Sequence, residues 1–121
     1  EHVWTKTAAS LALDTPLKSG HTTNLDTLWA GVPLVSLPGR TMSTRAGGSM
    51  LNVLGLQDSL VSSLKEYEDV AVALATNAGR LSALRSVLGE ARTTQPLFDV
   101  ERWTKGFQRG LQASFEVTTV Y

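Results

Sequence analysis

Two short apolar runs bracket the front of the chain. Ala8 to Leu13 stops at Asp14-Thr15-Pro16, and Pro33-Leu34-Val35-Ser36-Leu37-Pro38 is boxed between two prolines. Both are too short for a globular helix and read as buried strands, the first centred on Ser10–Asp14. Pro33 can open the second because the first residue of a strand need not donate to the ladder. Between them lie a loop, Leu17-Lys18-Ser19-Gly20, and a helix. The helix takes Thr22 or Thr23 as its N-cap, turns Leu25, Leu28 and Trp29 inward, and ends at Gly31, placed for a left-handed cap. Strand, helix, strand in this span is a βαβ unit, which requires a parallel pair joined by a right-handed crossover.

The rest of the chain reads as mostly helical. Gly39-Arg40 leads into a helix from about Thr41 to Leu54, with Met42, Ala46, Met50 and Val53 on one face and Gly47-Gly48 as a close-packing site. Met42 and Met50 read as gap fillers on that face. Ser59-Leu60-Val61-Ser62 is a candidate third strand. Ser63 and Glu66 have capping-box spacing and open a helix with Val70 and Leu74 inward. Another helix runs from about Ala78 to Thr93 on Leu81, Leu84 and Leu88. Asp99 caps the last helix, with Phe98 set to staple onto Trp103. Trp103, Phe107, Leu111 and Phe115 then make one apolar stripe. Trp29 and Trp103 are expected in the core, and Val117 to Tyr121 as a frayed tail, so that residues 1–116 form the domain. Three strands are few for a parallel sheet, which needs cover on both faces and protected edges. The expectation is a portion of a larger α/β domain, completed by an upstream segment or by a partner chain. The start at Glu1 rather than methionine points the same way, to a fragment or a processed product.

Composition removes several classes. Eleven Lys+Arg balance eleven Asp+Glu, so the formal net charge is zero, against the basic face that nucleic-acid binders carry. There are no cysteines, which excludes disulfide scaffolds, thiolate metal sites and cysteine nucleophiles. No apolar run approaches the roughly 18 residues of a membrane span. With two histidines and scattered carboxylates, no metal-ligand cluster and no Ser-His-Asp order stands out. Arg40 and Arg45 read as solvated surface.

The chemistry concentrates in Asp14 to Asp26. A Gly-containing loop sits at the carboxyl end of a strand and directly before a helix N-terminus, where open α/β sheets bind ligands. Orphan N–H groups and the positive end of the helix dipole favour phosphate there. His21, Thr22 and Thr23 add an imidazole and two hydroxyls, a donor set suited to a diphosphate. Asp26 lies one turn deeper, placed to accept from neutral hydroxyls such as a ribose diol. The plainer reading of the same residues is an N-cap and an acid answering the helix dipole.

The segment from His21 through Asn24, Asp26, Trp29, Gly31 and Pro33 to Pro38-Gly39 resembles the end of the catalytic region of the O-GlcNAc transferase and SPINDLY family. So do Leu13-Asp14-Thr15-Pro16-Leu17-Lys18-Ser19-Gly20, Glu66 to Val72, and Gln95-Pro96-Leu97-Phe98. The resemblance runs from Glu1 to about Phe115. It implies the GT-B fold, two Rossmann-like halves with the sugar nucleotide held mainly by the C-terminal one. It implies that His21, Thr22 and Thr23 hold the diphosphate, that Asp26 binds the ribose, and that His2 lies near the nucleotide base. Lys18 stands where O-GlcNAc transferases carry a cysteine close to the sugar, and Thr5 where they carry an arginine. The implied reaction moves N-acetylglucosamine from UDP to Ser or Thr of intracellular proteins, inverting and with neither metal nor cofactor; SPINDLY-type enzymes use GDP-fucose.

The family's leaving-group lysine, its N-terminal half and its TPR repeats have no counterpart in these 121 residues, so the chain alone is expected to be inactive. The expected partners are a nucleotide sugar, a protein acceptor met through other parts of the enzyme, and the remaining catalytic region. The expected setting is cytoplasmic or nuclear, or an organelle if a leader was removed. The competing expectation is a catalytically inactive remnant domain that serves as a structural subunit, with its open sheet and apolar stripe buried against partners.

Overall fold

The computed structural model describes residues 1–119. It is an α/β structure: α1 His2–Lys6, β1 Ala12–Leu13, α2 Thr22–Trp29, β2 Leu34–Val35, α3 Met42–Val53, α4 Leu64–Thr76, α5 Ala78–Thr94 and α6 Val100–Thr119, with 3₁₀ turns at Gln57–Ser59 and Pro96–Phe98. β1 pairs with β2 in parallel, Ala12 opposite Leu34 and Leu13 opposite Val35. The βαβ unit is therefore present, with Gly31 in the left-handed region at φ +79°.

The candidate third strand is reduced to one parallel bridge. Ser36 and Leu60 pair across it, with the Ser36 N–H donating to Ser59 O at 3.0 Å and the Val61 N–H to Ser36 O at 3.1 Å. The chain reaches it directly from the 3₁₀ turn at Gln57–Ser59, which leaves little room for a longer ladder.

Alternation along β2 splits the core between the two faces of the sheet. Leu34 joins Leu28, Leu51, Leu54, Leu56, Leu88 and Ala91 on one side. Val35 joins Val61 and Leu74 on the other, and Leu84 of α5 packs against both groups. Helices thus cover both faces, as parallel pairing requires. Two arginines of α5 tie it to the front of the chain. Arg85 Nη2 donates to Ala9 O at 2.9 Å and Ser10 O at 3.2 Å. Arg92 donates to Trp29 O and lies 5.4 Å over the Trp29 ring.

Several local expectations are corrected. His21, not a threonine, occupies the N-cap position of α2, and Thr22 and Thr23 are its first two helical residues. Trp29 is half exposed; the buried face of α2 is Asn24, Thr27 and Leu28. In α3 the buried face is Gly47, Gly48 and Leu51, with Met42 and Val53 exposed. Phe98 finds its aromatic partner in Trp29, 5.1 Å away at 60°, while Trp103 stacks on Phe107.

Caps fare better. Asp99 Oδ1 accepts from the Arg102 N–H at 2.9 Å. Ser63 Oγ accepts from the Glu66 N–H at 3.1 Å, but the Glu66 carboxylate reaches one residue further back, to the N–H and hydroxyl of Ser62. The expected tail at 117–121 continues α6 as far as Thr119; 120 and 121 lie outside the described residues. None of the residues of α6 is buried, so Trp103 is surface rather than core. Among the described residues no helix is long and apolar enough to cross a membrane.

Candidate functional site

The carboxyl end of β1 delivers the chain into Asp14, and the loop 15–20 returns it to the mouth of α2. Asp14 is buried and all its acceptors are used. Oδ1 accepts from the N–H groups of Thr15 at 3.0 Å and Gly20 at 2.9 Å, and from Asn24 Nδ2 at 2.9 Å. Oδ2 accepts from the hydroxyls of Ser19 and Ser36, each at 2.7 Å. Burial on its own would raise the Asp14 carboxyl; the bonds from Asn24, Ser36, Ser19 and Gly20 outweigh it and hold the group below its ordinary value. Ser19 extends the network to α3. Its Oγ accepts from the Gly47 N–H at 2.7 Å and its N–H donates to Ser43 O at 2.8 Å. Tyr67 of α4 donates its hydroxyl to the Asp14 carbonyl at 2.7 Å.

Above this buried node the mouth of α2 is open. His21, Thr22 and Thr23 are exposed and no side chain caps the helix. The N–H groups of a first helical turn have no partner within the helix. The turn therefore presents donors and the positive end of the dipole to solvent, with two hydroxyls and an imidazole alongside. Asp26 lies one turn in. Its side chain is 27% exposed and its Oδ2 lies 3.7 Å from Nε2 of His2. The structure thus brings His2 and Asp26 together by setting α1 against α2. Lys18 is exposed on the loop, where Thr15 donates its hydroxyl to the Lys18 carbonyl. Four surface cavities of the chain, among them one of about 240 Å³ beneath Leu56, Leu74 and Leu84, lie away from this mouth. Built from exposed residues at an uncapped helix end, the site is an open shelf on this chain.

Sequence reasoning anticipated a helix mouth after the first strand but missed the node beneath it. Asp14, Ser19, Asn24 and Ser36 carry no assigned role in the pattern alone. The available signals were an acid closing an apolar run and a serine in the middle of another. The expected close packing of Gly47-Gly48 is present. A Cβ on Gly47 would lie 2.3 Å from Asp14 Oδ2, and one on Gly48 2.8 Å from Cβ of Pro38.

A family model described as Glycosyl transferase family 41 matches residues 1–107. The chain belongs to that family. It is 48% identical over 110 residues to a probable UDP-N-acetylglucosamine–peptide N-acetylglucosaminyltransferase of Arabidopsis thaliana, covering 90% of this chain and 11% of the relative. It is 40% identical over 103 residues to the corresponding enzyme of Caenorhabditis elegans, covering 85% of this chain and 9% of the relative. A solved mutant of the Thermobaculum terrenum O-GlcNAc transferase superposes with a TM-score of 0.73 at 33% identity, over 89% of this chain and 22% of that one. The α/β, Rossmann-like GT-B architecture of this family 41 chain follows from these likenesses. The chain spans about a tenth of the length of those two relatives.

Proposed function

We propose that the chain is the nucleotide-sugar-binding part of a protein O-glycosyltransferase, with a UDP-GlcNAc-type donor and Ser or Thr hydroxyls of proteins as acceptors. The carrying observation is the open, uncapped mouth of α2 with Asp26 one turn inside it. In this reading the first-turn N–H groups and the side chains of His21, Thr22 and Thr23 hold the diphosphate. Asp26 accepts from the ribose hydroxyls, and His2, already beside Asp26, borders the base. Lys18 stands at the sugar end of the loop, where its ammonium adds positive charge near the diphosphate.

The chemistry asked of this shelf is electrostatic. In an inverting transfer the acceptor oxygen attacks the anomeric carbon from the face opposite the leaving diphosphate, and negative charge grows on the departing phosphate oxygens. Fixed N–H and hydroxyl donors stabilise that charge without reorganising, and in this proposal no metal takes part. The acceptor site and the residue that takes the acceptor proton lie in other parts of the enzyme, so chain 1–121 alone is proposed to have no turnover. The proposed setting is the cytoplasm or nucleus.

The test is calorimetry on the full-length protein with UDP-GlcNAc and GDP-fucose. Asp26→Ala is expected to weaken binding of the preferred donor by about tenfold, the loss of one charge-assisted hydrogen bond, with the fold intact by circular dichroism. Unchanged affinity removes Asp26 from the site.

A further inference from the structure

We propose that Asp14 is a positioning residue for the donor shelf: its buried carboxylate sets the direction in which the first turn of α2 presents its donors. This rests on the assignment of that turn to the diphosphate.

One oxygen does the local work. Asp14 Oδ1 holds the N–H of Gly20, the residue just before His21, and the amide of Asn24, the third residue of α2. The entry to the helix and its first turn are therefore pinned to a single point, and Thr22 and Thr23 lie between the two ties. The second oxygen anchors that point to the body of the fold. Oδ2 takes the hydroxyl of Ser36, just past β2, and that of Ser19, which in turn takes the Gly47 N–H of α3. The Asp14 backbone is held separately by Tyr67 of α4.

Five donors converge on this side chain, and only an acceptor-only group receives all five. A carboxylate does so; an amide offers one oxygen and turns an NH₂ toward the two serine hydroxyls. Space closes the arrangement as well as charge. A Cβ on Gly20 would sit 2.6 Å from Asn24 Oδ1, and one on Gly47 2.3 Å from Asp14 Oδ2. The loop that carries Lys18 and the turn that carries His21, Thr22 and Thr23 consequently have one mutual arrangement. Preorganised donors of this kind owe their precision to the residues that hold them.

The experiment uses the full-length enzyme and UDP-GlcNAc. Asp14→Ala is expected to raise the donor Kd and KM about tenfold or more, with kcat at saturating donor within about threefold, because a misdirected shelf loses binding. Asp14→Asn, which keeps a carbonyl for Gly20 and Asn24, recovers most of the affinity. Leu56→Ala, a core cavity away from the loop, lowers stability and leaves donor affinity unchanged. Amide hydrogen exchange at Gly20 reads the node without donor, and it is expected to speed up in Asp14→Ala and not in Leu56→Ala. If Asp14→Ala does not fold, Ser36→Ala removes one donor from Oδ2 and is read in its place, with a Kd rise of about threefold. Donor affinity no weaker than that of Leu56→Ala, or an unchanged Gly20 exchange rate, overturns the positioning role. Should Asp26→Ala and Thr22→Val leave donor affinity untouched while Gly20 exchange still speeds up in Asp14→Ala, the diphosphate assignment is what fails.

Discussion

The two ends of this chain solve the problem of polar and apolar groups in opposite ways. Around Asp14 a carboxylate, two serine hydroxyls, an asparagine amide and backbone N–H groups are buried together and paired with one another. Along α6 a tryptophan, two phenylalanines and a leucine stand in solvent at 51–70% exposure, in a helix with no buried residue. Burying polar groups is tolerated only when each finds its partner, so the front of the chain has a shape dictated from within. The last helix has no such internal constraint: its form comes from its own hydrogen bonds, its Asp99 cap and pairs such as Glu101–Lys105. The proposed donor shelf, the open mouth of α2, sits on the self-determined end.

That contrast is broken most severely at Asp14. Asp14→Ala leaves several buried donors without an acceptor and is expected to destabilise the protein by about 3–5 kcal/mol, measured as a fall in urea midpoint at neutral pH. Acid probes the same group more gently. Burial pushes its carboxyl up, but the hydrogen bonds from Asn24, Ser36, Ser19 and Gly20 bring it below the ordinary value. A carboxyl depressed in the folded state contributes stability that is complete above the unfolded value, about 3.9. That contribution is lost as pH falls from there through the folded value. Urea midpoints taken from pH 6 downward should fall in this window for the wild type and be flatter for Asp14→Asn. Equal slopes for the two would show that the node does not depend on the charge.

A matched pair of glycines sharpens the comparison. Both Gly47 and Gly110 lie inside helices, where alanine is favoured by about 1 kcal/mol. At Gly110 a new Cβ meets nothing within 4 Å, and Gly110→Ala should stabilise α6 by about 0.5–1 kcal/mol. At Gly47 the same methyl would press on Asp14 Oδ2 and on Asn24 Nδ2, which are already held by their hydrogen bonds. Gly47→Ala should therefore cost about 1–3 kcal/mol. Thermal melts of the two variants should move in opposite directions, and movement in the same direction would mean that the packing at Gly47 yields.

The βαβ unit and the helical back half were legible in the sequence because each rests on local rules: run length, proline and glycine placement, cap spacing. The helix after the first strand was legible too, but its expected threonine cap was not found, and its mouth is uncapped. The node was not legible, since it is assembled from residues as far apart as Asp14, Ser36 and Gly47, and no local pattern records that three such segments meet. The third strand failed for a related reason. Ser59 to Ser62 has the composition of a strand, but the 3₁₀ turn that precedes it leaves a single bridge. Trp29 and Trp103 were misplaced by one rule applied twice. An aromatic on an apolar helical face marks a core position only where another element covers that face. In α2 the covered side is Asn24, Thr27 and Leu28, and Trp29 lies at the margin under Arg92 and beside Phe98.

The smallest effect belongs to Trp103, and it is the one that tests how separate the two ends are. Trp103 is 65% exposed and its ring stacks on Phe107 at 5.1 Å and 8°. Trp103→Ala thus removes a surface pair spaced four residues apart, not a piece of the core. Such pairs contribute about 0.2–0.5 kcal/mol within a helix, against about 3–5 kcal/mol for emptying a buried aromatic position. In chain 1–121 the cost should stay below about 1 kcal/mol. It should appear as reduced helicity at 222 nm, with no shift in the cooperative melt reported by Trp29. A loss of several kcal/mol in that melt would mean that α6 shares the cooperative core, and the division between a front held by paired polar groups and a helix held only by itself would have to be abandoned.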